Sequence, residues 1–151
     1  MELSNEIKDS VHKSVLCWLA TSSVDNIPNV SPKEIFSYCN DKIIIANIAS
    51  PKSVENIRMN KNVCISFTDI LVQKGFQIKG EGRIVTNKEA DFENYKSILE
   101  EMTEGKFPFH SVIEIVPLEF NKIIAPRYFL FPETTEEEQI ESAKKTYGFI
   151  K

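Results

Sequence analysis

The stretch that decides the fold runs from residue 43 to residue 67 and reads IIIANIASPKSVENIRMNKNVCISF. Ile43 to Ala46 is an unbroken apolar run, continued after Asn47 by Ile48-Ala49. It is β-branched and short, which predicts a strand from Ile43 to Ile48 covered on both faces. Ser50-Pro51 then starts a helix. Serine is a good N-cap, and proline suits the first helical position, where its missing N–H would have had no partner. Val54 and Ile57 form the inner stripe of that helix, which is expected to end near Asn60. Val63, Ile65 and Phe67 alternate with Cys64, Ser66 and Thr68. That period of two predicts a strand with one buried face.

Working outward toward the N-terminus, Leu3, Ile7 and Val11 recur at a spacing of four, which predicts a short helix over 4–13. Val15 to Ser22 reads as the first strand, and Asp25-Asn26-Ile27-Pro28 as a turn. Asn29 to Tyr38 reads as a second strand in which Pro32 marks a bulge or an edge position. Asn40-Asp41 is a tight turn. Toward the C-terminus, Phe76 to Thr86 alternates, with Gly80 and Gly82 on one face, a sign of sharp coiling or close backbone approach. Asn87 can cap a helix reaching about Thr103, with Ala90, Tyr95, Ile98, Leu99 and Met102 inward. Val112 to Val116 and Phe120 to Ala125 make the last strand or strands. Thr134 to Tyr147 reads as an acidic, exposed helix with Ile140, Ala143 and Tyr147 on one side. Short strands in hairpin order without a βαβ rhythm predict a mainly β protein with peripheral helices, its sheet antiparallel and closed, in a single domain over 1–151.

Composition narrows the function classes. The net charge of −4 gives no basic bias toward nucleic acid. Val15 to Ala20, the longest apolar run, is far too short to span a bilayer, so no membrane partner is expected. Met1 to Lys13 lacks the apolar core of a signal peptide. Three widely spaced cysteines (Cys17, Cys39, Cys64) and two histidines (His12, His110) make neither a disulfide framework nor a metal site. A cytoplasmic protein without a metal is expected. Trp18, the sole tryptophan, is expected in the core.

Five ordered segments carry a resemblance. Leu19-Ala20-Thr21-Ser22-Ser23 precedes Asn26-Ile27-Pro28-Asn29-Val30, where Asn26 takes a glycine's place and tolerates positive φ. Ser31-Pro32-Lys33-Glu34 follows. Next come the 45–57 strand-to-helix segment with its Lys52 and Asn56 spacing, the Asn62 to Phe67 strand, and Gln77 to Ile84 with its two glycines. In this order they resemble the pyridoxamine 5′-phosphate oxidase-like FMN-binding split barrels over roughly Trp18 to Ala125.

The resemblance implies a six-stranded antiparallel split β-barrel and a homodimer with FMN in the groove between chains. It places Ser50, Lys52 and Ser53 at the FMN phosphate, where a helix N-terminus offers free N–H groups. It places Ser31, Pro32 and Lys33 along the flavin, with Lys33 donating to the phosphate or to the N1/O2 edge. Asn47, Ile48 and Ala49 would meet the ring edge, and Asn56 and Gln77 match further cofactor positions. Read without the resemblance, Ser50 to Ser53 is also how many surface helices begin, and Lys33 is also a strand lysine.

The implied activity is hydride or electron transfer between a reduced nicotinamide, NADH or NADPH, and an unidentified small acceptor. Oxidation of a B6 vitamer is not expected. The family holds that substrate's phosphate with basic residues near the C-terminus, and here Arg127 alone stands in Ala125 to Phe131. Arg58 and Arg83 are the only other arginines. The alternatives are a flavin-binding electron carrier with no substrate of its own, and a split barrel that uses haem or a deazaflavin.

Overall fold

The computed structural model describes residues 1–150, and the elements follow the alternation of the sequence. They are α1 (Asn5–Lys13), β1 (Cys17–Ser22), β2 (Pro28–Lys33), β3 (Phe36–Cys39), β4 (Lys42–Ala46) and α2 (Pro51–Met59). Then follow β5 (Asn62–Asp69), β6 (Lys74–Thr86), α3 (Phe92–Glu101), β7 (Ser111–Ile124), α4 (Arg127–Leu130) and α5 (Glu136–Thr146).

All strands join one antiparallel sheet in the order β2-β1-β5-β6-β7-β4-β3. Its two edges, β2 and β3, are consecutive in the chain, with only Glu34 and Ile35 between them. Three Cα steps reach at most ~11 Å. In a flat sheet the same edges would lie six strand spacings, ~29 Å, apart. The sheet therefore curls until its edges meet, and the Ala46 N–H donating to the Ile35 carbonyl at 3.0 Å carries the β3–β4 ladder up to that junction. This is the antiparallel split barrel expected from the sequence, with seven strands in place of six. The expected second strand breaks at Glu34-Ile35 because the chain passes there from one edge of the sheet to the other. The last strand is a single long one.

The apolar run at 43–46 is buried on both faces, as its composition requires. Ile43 and Ile45 point into the barrel with Leu19, Ile65, Phe67, Ile78, Ile113 and Ile115, beneath Leu3, Ile7 and Val11 of α1. Ile44 and Ala46 point outward under α3, against Tyr95, Leu99 and Phe92. The glycines of β6 serve close approach: a Cβ on Gly80 would lie 2.3 Å from the Val116 carbonyl oxygen, beside the register shift between Lys79 and Gly80.

The other outer half of the barrel is open. Pro32, Trp18, Ser66, Gln77 and Asn121 lie in register across β2, β1, β5, β6 and β7. Trp18 is 48% exposed on this face, which corrects its expected core position: Leu19, not Trp18, has the inward parity. Three helix details also differ. Asn87 lies in turns, and Asp91 takes the N-cap position of α3. Thr135 caps α5, with a reciprocal bond from Glu138, and the buried stripe of that helix is Gln139 and Ala143. The Ser50 hydroxyl does not cap α2. Among the described residues no helix is long and apolar enough to cross a membrane.

Candidate functional site

Period two sets the site. Thr21 on β1 and Asn29, Ser31 and Lys33 on β2 all have the inward parity, at the end of the barrel that α2 covers. There they meet Ser53 and Asn56, the buried polar positions of α2. Asn56 donates to Thr21 Oγ1 at 3.0 Å, and Asn29 donates to the same oxygen at 3.3 Å and to Ser53 Oγ at 3.5 Å. Ser31 Oγ lies 3.4 Å from Ser53 Oγ, and Lys33 Nζ donates to Ser31 Oγ. Thr21, Ser53 and Asn56 are 2–3% exposed, and Lys33 is 7% exposed.

Lys33 is the electrostatic anomaly. Among the described residues no carboxylate pairs with its ammonium. Burial lowers its pKa, partly offset by Cys17 directly across on β1, whose own thiol burial pushes up. A buried cation without an anion is costly unless a ligand supplies one.

The start of α2 has the matching property. The Ser50 hydroxyl turns back to the Ile48 carbonyl at 3.1 Å and leaves the first-turn N–H groups uncapped. Ala49 adopts φ 50° at the strand-to-helix turn, a left-handed conformation that costs a non-glycine residue of order 1 kcal/mol. Asn47 is tied to Ser111, its side-chain nitrogen donating at 2.8 Å, and its buried Oδ1 has no partner among the described residues.

Beside this cradle runs a cleft of about 490 Å³. Pro32, Lys33, Ile35, Ala46 and Ile48 form its floor, with Met102, Thr103 and Phe107 beyond the end of α3. It is apolar apart from Lys33, Glu34 and Thr103. A separate cleft of about 360 Å³ lies between α1, β6, β7 and α5. Its carboxylates (Glu6, Asp9, Asp69, Glu136) interleave with Lys13, Lys74 and Lys122, and none of the expected site residues lines it.

The fold thus brings Ser31, Lys33, Ser53 and Asn56 into one network, and Pro32, Lys33 and Ile48 onto one cleft. Asn56 lies behind the cradle rather than on its surface. Lys52 is 57% exposed and pairs with Glu55 at 3.1 Å. Gln77 sits on the open outer face three strands from Pro32, ~14 Å away at ordinary strand spacing. His110 is exposed, and no metal cluster exists among the described residues. Thr21 and Asn29 were not expected as site residues. Their one sequence signal is the polar inward face at 29, 31 and 33 on a strand whose neighbours bury isoleucine and leucine.

The fold has relatives among known proteins. Residues 3–124 match the family described as pyridoxamine 5′-phosphate oxidase. No curated protein matches the sequence. In structure, HupZ of Group A Streptococcus is similar at TM-score 0.67 and 22% identity, over 78% of this chain and 91% of that one. An FMN-binding protein of Syntrophomonas wolfei is similar at TM-score 0.64 and 16% identity, over 80% and 88%. An F420 reductase is similar at TM-score 0.61 and 17% identity, over 79% and 98%.

Proposed function

Since this chain belongs to the pyridoxamine 5′-phosphate oxidase family, a flavin-binding family, we propose that it binds FMN beside β2 and the start of α2, in a groove completed by a second copy. The observation that carries the reading is the buried, unpaired Lys33 ammonium beside an uncapped helix N-terminus. These donors surround a place for an anion of phosphate type. The phosphate would be held by Lys33, the Ser53 hydroxyl and the α2 N–H groups, with Lys52 at the rim. The ring would lie along Pro32, Ala46 and Ile48, with Asn47 Oδ1 left to accept from its polar edge.

FMN, when bound, supplies hydride and electron chemistry. The residues of this chain bind it, orient it and keep water from one face. The second copy is argued from the open half of the barrel. Trp18, Val30 and Leu118 are 48%, 59% and 56% exposed there, on a face that no α3 equivalent covers. Gln77, too far to serve its own cleft, would serve the partner's. A C2 pair is the commonest closed assembly.

The activity proposed is transfer of hydride or electrons from NADH or NADPH to a small acceptor. Vitamer oxidation is not proposed, because Arg83 is committed to Glu114 at 2.7 Å and leaves Arg127 alone near the C-terminal segment. The test is anaerobic mixing of the FMN-loaded protein with each nicotinamide while the oxidised flavin band is followed. Saturable bleaching by one of them is expected. Slow, unsaturable bleaching by both would leave an electron carrier, and retention of a deazaflavin in preference to FMN would change the cofactor.

A further inference from the structure

We propose that Thr21 is the hub of a buried network that aims Lys33 and the Ser53 hydroxyl at the bound phosphate. This rests on the phosphate reading above and goes beyond it, because Thr21 and Asn29 act through Ser53 and Lys33.

An ammonium only donates, so Ser31 Oγ, which takes a bond from Lys33, is an acceptor there. Its own hydrogen is then free to point at Ser53 Oγ, 3.4 Å away. Ser53 Oγ also accepts from the Asn29 amide at 3.5 Å. Having accepted twice, Ser53 keeps its own O–H as a donor with no acceptor assigned inside the network. The Asn29 amide can make these bonds only while it is held between Ser53 and Thr21 Oγ1 at 3.3 Å. Thr21 Oγ1 is fixed in turn by the buried Asn56 amide at 3.0 Å, which ties the hub to α2 itself. Asn29 thus donates both ways, so Thr21 Oγ1 and Ser53 Oγ each accept twice, while Lys33 and Ser31 donate toward Ser53 from the other side. Two N–H of Lys33 and the Ser53 O–H are left as donors on the side of the α2 N-terminus. The hub is 3% exposed, so water cannot replace a missing hydroxyl.

Thr21→Val keeps the shape and removes the oxygen. FMN and riboflavin, which differ by the phosphate, are titrated into the flavin-free full-length protein by fluorescence quenching. The expected result for Thr21→Val is a loss of FMN affinity of about tenfold or more, riboflavin affinity within about twofold of wild type, and recovery in Thr21→Ser. A purely structural role would weaken both ligands together, and that outcome overturns the proposal. So does an unchanged preference for FMN in Thr21→Val. Equal binding of both ligands by the wild type would instead overturn the phosphate reading beneath it. If Thr21→Val does not fold, Asn29→Leu decides. It removes the donating amide without adding a charge and should likewise lower FMN affinity alone, whereas an unchanged FMN preference in that variant would sink the network.

Discussion

At the scale of single residues the two lysines of the candidate site separate cleanly. Lys33 is buried and unpaired, whereas Lys52 is exposed and already bonded to Glu55. Lys33→Met is expected to weaken FMN about 10- to 100-fold, the worth of a hydrogen bond to a charged group, with little effect on riboflavin. Lys52→Ala should weaken FMN by only about twofold to fivefold, as for an exposed ion pair. Flavin titration of both variants checks the order, and a larger effect at Lys52 would move the phosphate to the rim. The pH dependence follows from sign. Burial lowers the Lys33 pKa, so in the flavin-free protein its charge is a burden below that pKa, and stability rises as pH climbs toward the lysine's ordinary value. A phosphate favours the charged form, so FMN affinity should fall as pH rises through the lowered pKa. The other groups facing this amine are the neutral Cys17 thiol and, in the adjoining cleft, Glu34. In Lys33→Met the alkaline fall should vanish, and its persistence would assign it to another group.

At the scale of elements the main internal joint is Glu114. This carboxylate of β7 is 1% exposed and takes bonds from Arg83 of β6 at 2.7 Å, Lys42 of β4 at 3.0 Å and Tyr95 of α3 at 2.6 Å. Burial alone would raise its pKa, but the Arg83, Tyr95 and Lys42 bonds outweigh it and hold the carboxyl low, while burial and this carboxylate push Tyr95 up to about 12. The stability that Glu114 adds is complete above the ordinary carboxylate range and is lost as pH falls through its lowered value. Glu114→Gln should cost about 1–3 kcal/mol in denaturant unfolding, since Arg83 and Lys42 can turn to solvent, and should flatten the acid limb of the stability profile. An unchanged unfolding midpoint would mean that α3 is held by apolar packing alone.

The elements also mark what could be read from the chain. The strand expected over 43–48 was legible because an apolar run needs cover on both faces, which the barrel interior and α3 supply, although it ends at Ala46, before Asn47. Pro32 was legible as an edge residue, and Asn26 as a positive-φ turn residue, found at φ 61°. Trp18 was not, since a lone aromatic in an apolar strand has no sign of which parity faces in. The Thr21 hub was hidden for a related reason: its partners come from β2 and α2, and their meeting depends on how the sheet curls. The break at Glu34-Ile35 is likewise a tertiary event, created by joining the two edges of the sheet.

At the scale of the whole molecule the barrel is half dressed. α3 covers one outer half, and the other presents Trp18, Val30 and Leu118 to solvent beside Gln77 and the Lys79–Glu119 pair. On β2, Pro28 and Pro32 remove two N–H donors from the strand at the edge, which disfavours sheet extension and leaves face-to-face contact. A stable dimer buries about 800 Å² per partner. Val30→Glu should therefore give monomers in sedimentation velocity and lose FMN with them. A monomeric variant that still binds FMN would place the whole site within one chain.

The most direct measurement is a titration of FMN into the purified, flavin-free protein, read by absorbance and by the mass of the species eluting with the flavin. Saturation at one FMN per chain on a particle of two chains is expected. A protein that takes up no FMN at any ratio would contradict it.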